Sequence, residues 1–125
     1  MGRETAMMHI GELAEKTGLS LRTIRHYDDV GLLEPTGRTV GGFRLYTDDD
    51  FARLMLIRRM KPLGFTLEEM TGLLRIIDTL GDAGSADPAV RADLEGFIAQ
   101  AIERRGKLQE QLTMADEFLA LLREQ

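Results

Sequence analysis

The spacing of the hydrophobic positions near the start of the chain predicts two short helices. Ile10, Leu13 and Ala14 recur at i, i+3 and i+4, which is the spacing of one face of an α-helix. Gly18 follows, and glycine commonly ends a helix in the left-handed region. Ser20 is then a favourable N-cap for a second helix. Two short helices joined by a few residues that include a glycine are typical of a helix-turn-helix.

In the segment GRTVGGFRLYT, the spacing of hydrophobic residues changes from the helical period to a period of two, which is typical of strands. Its adjacent glycines suit a tight turn, so the segment predicts a β-hairpin. By strand alternation, Phe43 and Leu45 point to one side, and Arg44 and Tyr46 point to the other. We expect the Phe43 and Leu45 side to cover the helices and the other side to face outward beside Arg38. A two-stranded ribbon is not stable alone. It is therefore predicted to lie against the helices as the wing of a winged-helix domain.

Capping signals mark two further helices within the same domain. Thr47 precedes three consecutive aspartates, so it is a favourable N-cap followed by acidic residues in the first turn. Thr66 precedes Glu69 by three residues, the spacing of a capping box. Apolar residues at helical spacing follow each cap, so both segments are predicted to pack against the helix-turn-helix.

The last third of the chain predicts one long helix that begins with Asp87 as N-cap and Pro88 as first helical residue. Its apolar residues follow alternating steps of four and three, with Arg105 as the basic exception. One helix of this length cannot bury such a seam against one small domain, so we expect dimerisation with a second copy. The predicted dimer seam consists of Leu94, Ile98, Ala101, Leu108, Leu112, Ala115, Leu119 and Leu122.

These elements together predict a mostly α-helical protein. A winged helix-turn-helix domain with a two-stranded wing is expected over residues 8–80. The small, polar segment 81–87 is interpreted as a linker, and residues 88–123 as the coiled-coil dimerisation helix.

Charge is distributed unevenly along the chain, which has 125 residues and a formal net charge of -5. Residues 1–75 hold 11 basic and 11 acidic residues, whereas residues 76–125 hold 5 basic and 10 acidic residues. Net charge governs solubility and non-specific binding and does not exclude a local cationic site. The chain contains no cysteine, which excludes disulfides and thiolate metal sites within it. Since no signal peptide or long apolar run is present, we expect a cytoplasmic protein.

The second predicted helix carries unusual chemistry on its polar face. Basic residues and a hydroxyl occupy its first turns and aspartates its end, the opposite of what the helix dipole favours. The ordinary interpretation is a solvated polar face, but this choice of residues favours contact with a polyanion. The apolar side, which includes Tyr27, is expected to face the first helix. The polar face consists of Arg22, Thr23 and His26, with Arg25 on its flank.

The segments IGELAEKTGLSLRTIRHYDDVGLLEP, GGFRLYTDDDFARL and LGFTLEEM, in this order and spacing, closely resemble the DNA-binding domain of MerR-type transcriptional regulators. The resemblance extends from about Met8 to Leu80, and the long helix is similar to the one through which family members pair as antiparallel coiled coils. It implies a homodimer that binds a pseudo-palindromic promoter operator, distorts the DNA and allows RNA polymerase to engage. Metal-sensing members use cysteines and drug-sensing members append a ligand-binding domain; this sequence shows neither.

The resemblance implies that DNA is contacted by the second helix and the wing. No cofactor and no metal are expected. The candidate DNA-binding residues are Arg22, Thr23, Arg25, His26, Tyr27, Arg38, Arg44 and Tyr46.

Three other classes of protein share some of these features. An enzyme is disfavoured because both histidines lie in the predicted helix-turn-helix and no cluster has metal-ligand spacing. An architectural, excisionase-like DNA binder shares the winged domain, but the long helix favours the regulator. A coiled-coil adaptor without DNA binding shares the long helix, but the arginine-rich face of the second helix argues against it. Phe97 and Phe118 form a second apolar stripe, for which packing against the other subunit is favoured over a small hydrophobic ligand.

Overall fold

The structure is a computed structural model that describes residues 7–83 and 87–125. The chain forms two compact units, of which the first ends at Thr71 and the second begins at Gly72. In chain order the elements are β1 (Met8–His9), α1 (Ile10–Thr17), α2 (Leu21–Asp29), β2 (Gly37–Arg38), β3 (Arg44–Tyr46), α3 (Asp48–Met60), a 3-10 turn (Lys61–Leu63), α4 (Leu67–Ala83) and α5 (Pro88–Arg123).

The predicted helix-turn-helix is confirmed, together with the residues that end and start its helices. Gly18 adopts φ 72° and its N–H donates to the Ala14 carbonyl, which closes α1. The Ser20 side chain accepts a hydrogen bond from the Thr23 N–H at 3.0 Å and so caps α2. Because these contacts join residues only three or four positions apart, the local sequence is sufficient to specify the turn.

The core of the first unit is formed by side chains from both helices of the helix-turn-helix, from β3 and from α3. Apolar residues at helical spacing on α3 form one side of this core, as predicted from the sequence. The largest fully buried side chains in this unit are Leu13, Ile24, Leu33, Tyr46, Leu54 and Ile57.

The wing has one strand more than the sequence predicts. β3 lies at the centre of a three-stranded antiparallel sheet, with β2 on one edge and β1 on the other. Met8 pairs with Tyr46 and His9 pairs with Leu45. Since α1 begins at the residue after β1, this pairing ties the wing directly to the helix-turn-helix.

The predicted orientation of the wing was wrong. Tyr46 is fully buried, Arg44 is only partly exposed, and Phe43 is 70% exposed. Alternation does place Arg44 and Tyr46 on the same side of β3, but that side turns towards the helices. Phe43 precedes the strand and belongs to the turn, where Gly42 has φ 86°, so no helix covers it.

Both predicted caps of the later helices are confirmed. The Thr47 and Asp50 side chains each accept a hydrogen bond from the other residue's N–H, at 3.2 and 2.9 Å, which forms a capping box at the start of α3. Thr66 and Glu69 form the same reciprocal pair at α4, with distances of 3.1 and 2.9 Å. Each pair satisfies two backbone donors that the helix itself leaves without a partner.

The second unit contains the end of α4 and all of α5. α4 continues to Ala83, so residues 81–83 of the predicted linker are helical, while 84–86 lie outside the described residues. Asp87 caps α5 by accepting from the Ala89 N–H at 2.9 Å. A Cβ built on Gly72 would lie 3.7 Å from Phe97 Cζ, so α4 and α5 approach closely within this unit. From Arg105 to the end, every side chain of α5 is exposed.

We expect Gly18→Ala to lower the free energy of unfolding by about 1–2 kcal/mol, because a side chain at positive φ is strained. The matched control is Gly11→Ala in α1, where an added Cβ meets nothing within 4 Å. It should raise stability by up to about 0.5–1 kcal/mol, because alanine loses less backbone entropy in a helix. Urea unfolding at one protein concentration measures both. Equal effects of the two substitutions would contradict the assignment of strain to Gly18.

Candidate nucleic-acid interface

The outward face of α2 is a cationic surface. Arg22, Arg25 and His26 are exposed on it. Ile24 and Tyr27 are buried on the opposite side, so the amphipathic orientation predicted for this helix is confirmed. One face of the helix is thus buried in the core, and this burial fixes the direction in which its basic side chains project.

The first turn of this helix is held by its cap. Ser20 Oγ lies 2.9 Å from Thr23 Oγ1 and also accepts from the Thr23 N–H. Arg22 is therefore carried on an ordered turn directly after the cap. At the other end of the helix, the His26 ring lies against the Tyr27 ring, with centroids 6.0 Å apart and planes inclined at 44°.

Tyr27 lies on the buried side of α2 and not on its exposed face, so its position does not support the predicted contact with DNA. Its ring is buried, and this burial raises the pKa of its phenol. Its carbonyl accepts from the N–H groups of Leu32 and Leu33, at 2.8 and 3.2 Å. Tyr27 therefore packs α2 onto the core and organises the chain that leaves the helix.

The same holds for Tyr46. It is fully buried, and its phenol oxygen has no hydrogen-bond partner among the residues that the structure describes. Burial is the main cause of the raised pKa of this phenol. A ring of this size contributes more by filling the core than by projecting from a short wing, which explains why it faces inward.

The wing cations converge on one carboxylate of α2. Arg44 Nε donates to Asp28 Oδ2 at 2.6 Å, and Arg38 Nη2 lies 4.0 Å from the same oxygen. Arg38 Nη1 also donates to the Gly42 carbonyl at 3.2 Å. The hydrogen bond to Asp28 raises the pKa of Arg44. Sequence reasoning did not identify Asp28 as a partner of the wing. The feature that could have indicated it is an acidic residue in the last turn of a helix, where the helix dipole disfavours a negative charge.

Lys61 is a second residue that sequence reasoning did not connect with α2. It borders a small open cavity of about 160 Å³ beside the C-terminal half of α2. Most of its lining residues are apolar or aromatic, and two of them, His26 and Lys61, are basic. Its lining residues are His26, Tyr27, Lys61, Phe65, Leu67 and Met70.

The cationic surface also extends to α3. A Cβ built on Gly18 would lie 3.8 Å from Arg58 Nη2, which places this guanidinium beside the turn of the helix-turn-helix. Arg58 and Arg59 are both exposed. Basic side chains from three elements of the first unit thus surround α2, a distribution suited to a polyanion.

Within residues 7–83 and 87–125, no three His, Asp or Glu side chains lie together in a way that would hold a metal ion. The same residues include no helix with the length and apolar composition needed to cross a bilayer.

Comparisons with known proteins agree on one family. The family model for MerR HTH family regulatory proteins matches residues 8–76, and the model for the MerR DNA-binding region matches residues 51–125. An uncharacterised HTH-type transcriptional regulator of Pseudomonas aeruginosa is 37% identical over 116 residues, which cover 92% of this chain and 83% of that protein. The mercuric resistance operon regulatory protein of Bacillus cereus is 37% identical over 115 residues, covering 92% and 82%.

Solved structures give the same result. The structure of HiNmlR, described as a MerR family regulator lacking the sensor domain and bound to promoter DNA, superposes with a TM-score of 0.73 and 27% identity. The superposition covers 89% of this chain and 80% of that one. The resemblance inferred from the motifs is confirmed: this chain belongs to the MerR family of DNA-binding transcriptional regulators.

Proposed function

We propose that this chain acts as a homodimer on a pseudo-palindromic promoter operator, with α2 of each subunit in the major groove and the wing beside it on the phosphate backbone. The observation that carries the proposal is the exposed cationic face of α2, opposite the buried Ile24 and Tyr27. The operator is bent or untwisted by the dimer, and RNA polymerase is the further partner that the family resemblance implies.

Each side chain on this face has a distinct capacity for recognition. Arg22 and Arg25 can donate two parallel hydrogen bonds to guanine, a contact worth about 1–3 kcal/mol of discrimination against another base. Thr23 offers a hydroxyl, and a neutral His26 can donate with one ring nitrogen and accept with the other. Arg38 and Arg44 of the wing supply backbone contacts, which position the protein but carry no sequence information directly.

The exposure of α5 supports the homodimer. Beyond Arg104, this helix has no buried or half-buried side chain, yet it carries many large apolar ones. A helix that leaves such a surface in water favours association with a second copy of itself. Two copies related by a two-fold axis would present two recognition helices, which matches a pseudo-palindromic site. The exposed apolar residues are Leu108, Leu112, Met114, Phe118, Leu119, Leu121 and Leu122.

The acidic half of the chain fits this arrangement. The excess of acidic residues lies after residue 75, where it repels phosphate and keeps the dimerisation helices off the DNA. Affinity would then depend on the cationic surface of the first unit alone. With about four phosphate contacts per subunit, binding should fall by roughly three to five decades between 50 and 200 mM salt.

Regulation is favoured over an architectural role by the side chains that can read bases. The experiment that separates the two is fluorescence anisotropy with a duplex selected from a randomised pool by the wild-type protein, compared with the same duplex scrambled. A regulator prefers the selected duplex by about a thousandfold or more. An architectural protein binds both similarly, and an adaptor binds neither at low salt.

Arg25→Ala should weaken binding to the selected duplex by about tenfold or more, because a base-edge contact is lost in each subunit. Lys16→Ala is the matched control, since it removes one exposed cation from α1, where Lys16 pairs with Glu12 at 3.8 Å. It should weaken binding by less than about threefold, through net charge only. Anisotropy titrations at fixed salt measure both. Equal losses for the two variants would contradict a base-reading role for Arg25.

Tyr46→Phe should leave DNA affinity unchanged, because the phenol oxygen is buried and cannot reach a phosphate. The substitution removes a buried group that lacks a hydrogen-bond partner, so thermal stability should be unchanged or slightly higher. Anisotropy and thermal unfolding provide the two measurements. A clear loss of DNA affinity without loss of stability would show that the Tyr46 hydroxyl contacts DNA and would contradict this prediction.

Leu112→Glu should convert the dimer to monomer at concentrations where the wild type is dimeric, because a charge enters the apolar seam in both subunits. The control is Thr113→Glu, one position along the helix, about 100° around it and away from the seam. Sedimentation velocity over a range of concentrations measures the effect, expected to be about a hundredfold in dissociation constant. A wild-type chain that sediments as a monomer would exclude the homodimer itself.

A further inference from the structure

Asp28 occupies a position where its charge is unfavourable for the helix that carries it. It lies in the last turn of α2, next to Asp29, and a negative charge at the C-terminal end opposes the helix dipole. The side chain is also only 13% exposed, so its carboxylate is largely removed from water. A partly buried carboxylate in an unfavourable field requires a compensating partner.

The partners of Asp28 come from both strands of the wing. Arg38 on β2 and Arg44 on β3 lie directly opposite each other in the antiparallel ladder. Two like charges in this arrangement repel and destabilise a strand pair. Asp28 Oδ2 lies 2.6 Å from Arg44 Nε and 4.0 Å from Arg38 Nη2, so one anion serves both guanidinium groups.

We propose that Asp28 is a positioning residue for DNA recognition: it is the counter-ion that holds the wing at a fixed angle to α2. The inference rests on the proposed function, in which α2 and the wing contact DNA at the same time. With a fixed angle, the DNA contacts of α2 and those of the wing fit only one groove geometry. The ion pair between Asp28 and Arg44 therefore contributes to specificity.

The pairing with Asp28 orients Arg44 and leaves most of its N–H donors available. A guanidinium carries five N–H donors, and the bond to Asp28 uses one of them. One quarter of the Arg44 side chain and half of the Arg38 side chain remain exposed. Both cations can therefore approach phosphate while they stay attached to α2. Their charge is partly neutralised, which lowers attraction to DNA of any sequence.

This arrangement predicts a signature that a purely structural residue would not give. Without Asp28, the wing gains net positive charge but loses its fixed position. Affinity for scrambled DNA should rise, because attraction to phosphate does not depend on the wing angle. The preference for the selected duplex should fall, because recognition requires the two elements to act together.

The test compares Asp28→Asn with Asp29→Asn in the full chain. Both substitutions remove one negative charge from the same turn of α2, but Asp29 is exposed and affects Arg44 only through a weak charge interaction. Asp28→Glu restores the carboxylate and serves as the rescue variant. The first measurement is hydrogen exchange of the wing amides of Thr39 and Gly42 in the protein without DNA. The second is affinity for the pool-selected duplex and for its scrambled version.

We expect Asp28→Asn to speed exchange of the wing amides by about tenfold or more, the effect of losing one charge-assisted hydrogen bond. The ratio of affinities for selected and scrambled DNA should fall by about tenfold. Asp29→Asn should leave exchange and the ratio unchanged while raising both affinities slightly. Asp28→Glu should recover most of the wild-type exchange protection.

Equal behaviour of Asp28→Asn and Asp29→Asn in exchange and in the affinity ratio would overturn the inference. The exchange experiment does not involve DNA, so failure of the wild type to select any duplex would refute the proposed function separately. If Asp28→Asn does not fold, Arg44→Gln breaks the same pair from the wing side. Unchanged exchange of the wing amides in that variant would also overturn the inference.

Discussion

The burial of the inner face of α2 is the constraint on which the rest of the first unit depends. Ile24 and Tyr27 are inserted into the core together with side chains from α1 and α3. Because a helix has fixed angles between its residues, burying this face leaves Arg22, Arg25 and His26 no direction except outward. The hydrophobic effect therefore orients the charges, although the charged groups themselves contribute little to stability on an exposed surface.

Two groups of acidic residues in the first unit have different functions in the structure. Those at the starts of α3 and α4 cap helices and complement the dipole, so they act locally. Asp28 lies at the unfavourable end of α2 and compensates two cations on the wing. The helix loses some stability by carrying it, and the interface between helix and wing is stabilised in return. This exchange is typical of a residue retained for the geometry of a site.

The second unit is organised by a different principle. α4 and α5 approach closely at Gly72 and Phe97, but the second half of α5, from Arg105 onward, is exposed throughout. Seam residues Leu94 and Ala101 are half-buried, whereas Ile98, Leu108 and every later seam residue are exposed. Two positions in the first half of the seam are therefore partly covered, and its other positions are available to a partner. This division was not visible from the heptad pattern, which treats all seam positions alike.

The sequence by itself determined the helices of this protein and where they begin. The caps at Ser20, Thr47, Thr66 and Asp87 connect residues two or three positions apart, and such contacts form whatever surrounds them. The motifs that identify the family are equally local.

Only the tertiary structure decided which side of the wing faces the core. Strand alternation fixes which residues share a side, but not which side is buried, because that depends on what packs against it. The third strand, the burial of Tyr46 and the bond between Asp28 and Arg44 all join residues 16 or more positions apart. Such contacts form only when the chain has folded. The sequence therefore predicted the exposed face of α2, but it did not predict which side chains of the wing are exposed.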